Sequence, residues 1–180
     1  MRGNNRFVMI SLMALMVGFS VGCGKEEPAA SQSSPTPALP GNWQTAMPGN
    51  FAGLTPKDGG ACYLDAVNGA PVGDVPLVIK SGSPAGLAGW AVADLKAGRL
   101  GSGVGIQLSV ATPYFIVADR YARPGLGAAL KSSPSLDGGS GLKLETTPLN
   151  VPPGDYRVFF LIQSDHDLLR CDTARTLRVQ

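Results

Sequence analysis

The stretch Gly154–Ser164, GDYRVFFLIQS, decides how this chain folds. Tyr156, Val158, Phe160 and Ile162 occupy alternate positions, with the polar Asp155 and Arg157 among the residues between them. A period of two sends alternate side chains to opposite faces of an extended strand, and β-branched and aromatic residues suit such a pleated surface. Pro152, Pro153 and Gly154 lead into the run as a turn.

Working outward, the same pattern recurs along the chain. Residues 103–111, GVGIQLSVA, alternate through Val104, Ile106, Leu108 and Val110, and residues 141–147, GLKLETT, through Leu142 and Leu144. Short apolar runs at 61–67 (ACYLDAV), 75–81 (VPLVIKS), 87–95 (LAGWAVADL) and 114–120 (YFIVADR) read as further strands, and 173–180 (TARTLRVQ) closes the chain with Leu177 and Val179 on one face. Glycine or proline separates most of these runs, and no stretch sustains a helical period; 123–133 (RPGLGAALKSS) is the one helix candidate, a turn or two inside a long connection. About seven or eight short strands, each sheet with one apolar face to hide, predict an all-β fold, an antiparallel two-sheet sandwich over residues 59–180. That span is long enough to bury a core.

The chain has 180 residues, of which 24 are glycine and 15 proline, and a formal charge of +2. A balance so near neutrality gives no electrostatic footprint for nucleic acid.

The N-terminus reads differently. Arg2 and Arg6 precede residues 7–22, FVMISLMALMVGFSVG, which carry no charge. A basic segment followed by a short apolar one is the pattern of an export signal, and the run is short for a membrane-spanning helix. Residues 20–23, SVGC, resemble a bacterial lipobox, although Ser20 stands where leucine is usual. The resemblance implies cleavage after residue 22 and lipidation of Cys23, a palmitate-type anchor. More than one acyl chain there would hold the protein stably to a membrane. Gly24, by the same resemblance, favours the outer membrane facing the periplasm if the source is Gram-negative. An uncleaved anchor helix, a buried helix and a soluble product cleaved nearby are the alternatives. Residues 23–58 hold prolines at 28, 35, 37, 40, 48 and 56 around a Ser/Ala-rich middle and read as a disordered linker. Trp43, Met47 and Phe51 are its apolar exceptions, expected to dock loosely or lie free, or to form a partner-binding segment.

If Cys23 is lipidated, Cys62 and Cys171 remain as an even pair in an exported chain, where a disulfide between them is expected; two buried free thiols are the alternative. Neither lies in a CxxC pair, so a zinc site is not expected.

An ordered set of segments, LDAVNG (64–69), GWAVAD (89–94), RYARPG (120–125), PPGDYRV (152–158) and CDTARTLRV (171–179), resembles an immunoglobulin-like β-sandwich module found in bacterial cell-envelope proteins and appended to some glycan-processing enzymes. That module often has aspartate after its RP pair, where this chain has Gly125. The resemblance implies a fold and an envelope setting, and it carries over no catalytic residue. PPGDY also resembles the segment before the penultimate strand of many such domains, so Tyr156 is expected in the core with its hydroxyl bonded to nearby backbone. Trp90 is expected to fill the centre of the sandwich, with a sugar platform as the other reading. Arg120 and Arg123 are expected to pair with Asp119 or Asp94 at the surface, or to face a ligand.

The single histidine, His166, lies between Asp165 and Asp167. Consecutive residues on a strand or tight turn diverge, so a solvated hairpin loop is the expectation, with a partner surface as the alternative. There is no G-x-S-x-G turn, P-loop or zincin motif, and GSGVG at 101–105 precedes a strand pattern where a phosphate loop needs a helix. The reading is a lipid-anchored, non-enzymatic module with no cofactor or metal, binding an envelope protein or a glycan. An accessory subunit or weak hydrolase of envelope glycan processing, or a purely structural envelope protein, are the alternatives.

Overall fold

The computed structural model describes residues 42–73 and 77–180. The export signal, Cys23 and most of the expected linker lie outside these residues, as does the start of the strand expected at 75–81. The described chain is all-β: ten strands and one four-residue helix, α1 (Leu126–Ala129). The strands are β1 (Pro56–Asp58), β2 (Ala61–Val67), β3 (Ala70–Pro71), β4 (Leu77–Ile79), β5 (Pro84–Val92), β6 (Gly103–Ser109), β7 (Tyr114–Tyr121), β8 (Gly141–Pro148), β9 (Gly154–Ser164) and β10 (Asp167–Val179).

They join in the order β1-β10-β9-β6-β7-β8-β5-β2-β3, with β4 added to β10. The sheet changes partners at β7. Its first half pairs with β6 and its last three residues pair with β8, so one strand belongs to both halves. The halves then face one another. Leu64, Leu87, Leu142 and Leu144 from one, and Val104, Ile106, Val158, Phe160 and Leu177 from the other, share a single core. A side chain at Gly89 of β5 would meet the Phe160 ring of β9 at 2.8 Å, so the two layers approach closely there.

β9 buries Tyr156, Val158, Phe160 and Ile162 as its alternation requires, and the Tyr156 hydroxyl donates to the Pro152 carbonyl at 2.7 Å. The two-residue turn at Asp165 and His166 returns the chain directly, so β10 begins at Asp167 and not near Thr173. Its register breaks between Asp172 and Arg175, where Ala174 takes a positive φ of 59° and the Thr173 hydroxyl donates to the Val158 carbonyl. Cys62 of β2 and Cys171 of β10 form a disulfide across 109 residues of sequence.

Residues 42–58 are packed, although their composition reads as linker. Trp43 enters the main core, and Gln44 pairs with Phe115 at the free edge of β7 through two backbone bonds of 3.0 and 2.7 Å. The segment then crosses the outer face of β6 and β9. Phe51, fully buried, joins Phe115, Leu161 and Leu168 in a second apolar cluster. β6 makes room with glycine: a side chain at Gly105 would lie 2.7 Å from the Phe51 ring. The segment ends as β1, parallel to the start of β10. Complete burial of a phenylalanine is worth about 1.5–3 kcal/mol, which adds to the burial of Trp43 in holding this short segment.

Candidate functional site

Among the described residues, no chain segment packs over the outer face of the other half of the sheet as 42–58 packs over β6 and β9, and that face carries Tyr63, Trp90 and Tyr121. β5 buries Ala85, Leu87, Gly89 and Ala91. Parity therefore turns Trp90 outward, where it is half-buried; it does not fill the centre of the fold. The space expected for it is taken by Phe160, which packs against Gly89 from across the core.

Trp90 is one of a row. It stands opposite Tyr63 of β2 on one side and Gly141 of β8 on the other, and Gly141 stands opposite Tyr121 of β7. Tyr63 is 41% exposed. A side chain at Gly141 would meet the Tyr121 ring at 2.7 Å from three of its atoms, so that ring leans over the glycine toward Trp90. With strands about 4.8 Å apart, Tyr63 and Tyr121 mark the ends of a row of about 14 Å.

Two arginines attend it. The register of β2 against β5 shifts between Leu64 and Ala66, a bulge at Asp65. Bulges re-aim side chains, and Asp65 takes both terminal nitrogens of Arg123, a bidentate pair in which each side chain is about 30% exposed. Arg123 follows β7 and Asp65 lies on β2, so the Arg123 side chain reaches across the face and its guanidinium rests beside β2. Hydrogen bonding to Asp65 raises the Arg123 pKa above its ordinary value against an opposing effect of burial. Arg175 of β10 sits over the Tyr63 ring at 5.9 Å, donates to the Tyr63 hydroxyl and the Gly73 carbonyl, and pairs with no carboxylate among the described residues. Two residues along the strands the floor drops to Ala66 and Ala88, beside Lys143. Gly86, Ala88, Lys143 and Glu145 there line a shallow depression of about 170 Å³.

The remaining candidates are placed apart from this face. Arg120 turns inward and pairs with neither Asp119 nor Asp94: its guanidinium donates to the carbonyls of Ala91, Gly139 and Leu100, and burial lowers its pKa. It ties the end of β5 to two loops and is not available to a ligand. Asp94 accepts from the Ala97 amide and pairs with Arg99. Gly125, where the resembled module has aspartate, adopts a φ of 82° before α1; Asp137 accepts from the Gly125 and Gly127 amides at 3.0 and 2.8 Å and supplies a carboxylate from another part of the loop. His166 is exposed on the hairpin turn at the rim of an open depression of about 290 Å³, and the neighbouring Asp167 is committed to Lys57. Among the described residues no three His, Cys, Asp or Glu side chains are grouped to hold a metal ion, and no helix is long and apolar enough to cross a membrane.

Tyr63 and Tyr121 were not singled out by sequence. The parity of Tyr63 against Leu64 was visible, but the cross-strand register that aligns three aromatic rings is a long-range property. No family model, curated protein or solved structure matches the chain.

Proposed function

We propose that this chain is a non-catalytic binding module of the bacterial cell envelope, immunoglobulin-like in fold, anchored by lipid on Cys23 and holding a protein or glycan partner on its open sheet face. The observation that carries the binding reading is the row Tyr63–Trp90–Tyr121, three aromatic side chains aligned on one outer face, with the Arg175 guanidinium over Tyr63 and the Arg123 guanidinium held by Asp65 of the same strand. Aromatic rings and arginines on an exposed face supply large, rigid contact area with polar handles, the composition of binding hot spots. The immunoglobulin-like reading is supported by three features: the Tyr156–Pro152 bond at a strand entrance, the inter-layer disulfide, and the opening strands divided between the layers, β2 on β5 and β4 parallel to β10. The anchor is supported by the basic and apolar segments before Cys23.

Two measurements test this. Cys23→Ser is expected to move the chain from the membrane to the soluble fraction, and unchanged retention would dispose of the lipid anchor. The Cys23→Ser chain is expected to co-sediment with detergent-washed envelope particles, and Tyr63→Ala to reduce the pelleted fraction several-fold. A chain that stays in the supernatant would remove the binding reading.

A further inference from the structure

Resting on that reading, we infer that the open face binds an uncharged, linear glycan laid along the aromatic row. Charge decides against polyanions. Among the residues that make up the face, the cations Arg123, Arg175 and Lys143 stand among the carboxylates Asp65, Asp119 and Glu145, and four of these six are joined as pairs, Arg123 with Asp65 and Lys143 with Glu145. Such a surface has no net field to draw nucleic acid or an acidic polymer.

The contacts suit sugar rings in two ways. Rings of Tyr63, Trp90 and Tyr121 offer flat apolar area for the C–H faces of pyranose rings, at intervals set by the strand spacing of about 4.8 Å. That repeat is close to the length of one sugar unit, so a row of four strands accommodates a short run of units. The hydroxyls of those units meet forked donors and acceptors at the β2 end of the row: the Arg123–Asp65 pair, and Arg175, which pairs with no carboxylate among the described residues. Gly141 matters to the shape. With no side chain it lets the Tyr121 ring lean over β8, narrowing the gap in the row between Trp90 and Tyr121. The depression above Gly86 and Ala88 receives substituents that point off the chain.

The test is titration of the full chain, held in a detergent without sugar headgroups, with uncharged β-linked gluco-oligosaccharides of increasing length and with oligogalacturonates as acidic probes. The chain has two tryptophans, and Trp43 is buried, so a fluorescence change on binding reports Trp90. The expected result is saturable binding of the uncharged series, tightening with length until the row is filled and insensitive to salt. Trp90→Ala is expected to abolish it. Because that change also removes packing, Tyr63→Ala serves as the second variant: Tyr63 lies at the surface outside the core, and the change is expected to weaken binding at least tenfold while the chain stays folded, with a melting temperature within a few degrees of the parent. Val117→Ala, on the opposite layer, is expected to bind as the parent does. No response to any uncharged oligosaccharide, binding untouched by Tyr63→Ala, or binding of oligogalacturonate alone would overturn the inference. The envelope sedimentation described above is read separately: particles that retain the chain after their glycan is digested would place the partner among proteins and defeat the glycan assignment alone.

Discussion

Single residues in this fold answer to what surrounds them more than to their type. Arg120 illustrates the point. A guanidinium has five donors in a rigid fork, and here the fork collects three backbone carbonyls from β5 and two loops. Replacing it by methionine keeps much of the bulk and orphans those carbonyls; the expected cost is about 3 kcal/mol, measured by urea unfolding. Arg120→Lys is expected to recover only part, since an ammonium cannot span three acceptors. Tyr156 was legible from its own neighbourhood, because a strand preceded by Pro-Pro-Gly puts its ring inward and its hydroxyl within reach of Pro152. Trp90 was not. Leu87 and Ala91 flagged the buried parity of β5, but Gly89 between them is silent in any apolar pattern, and only Phe160, far along the chain, shows that the slot is filled from the other layer.

At the scale of elements, the packed segment before β2 is the chief departure from the sequence reading. Its apolar residues are sparse, so composition favoured disorder. What composition does not record is a slot floored by Gly105 and walled by Phe115, Leu161 and Leu168, which Phe51 fills with Met47 and Leu54 packed beside it. Phe51→Ala is expected to cost about 3–4 kcal/mol and to open residues 42–58 to protease at concentrations that leave the parent intact. Gly105→Ala tests the same slot from its floor, since the added methyl displaces the ring. Loops and hairpins have their own dependence on acid. The Ala97 amide lowers the pKa of Asp94, the Gly127 amide that of Asp137, Arg178 that of Asp155 and Arg157 that of Asp172. Each carboxylate is thus more acidic folded than unfolded. Its contribution is complete above the unfolded value and is lost as pH falls through the folded one. The urea midpoint is therefore expected to hold near neutrality and to fall below about pH 5, and a midpoint that rises on acidification would contradict these assignments.

For the whole molecule, the all-β class was legible because period-two runs are local and repeated. The partnership of strands was not, since β7 serves both halves and β4 lies on β10, pairings that no local pattern encodes. The cross-link between Cys62 and Cys171 joins the first long strand to the last. In the chain-entropy description, closing a loop of this size is worth about 4–5 kcal/mol, so reduction is expected to lower the melting temperature markedly, with two thiols alkylated only after reductant is added. A further consequence concerns force. A pull applied between Asn42 and Gln180 cannot extend the sequence enclosed by the cross-link; it stretches only 42–62 and 171–180. On the first of these stretches lies β1, whose three rungs with β10 run parallel, so a tug at its leading end shears them together and does not peel them one by one. Once the Gln44–Phe115 bonds and the Trp43 and Phe51 packing give way, the backbone that bears Tyr63, Trp90 and Tyr121 lies inside the cross-linked loop and carries no tension, whereas Arg175 lies on a loaded stretch.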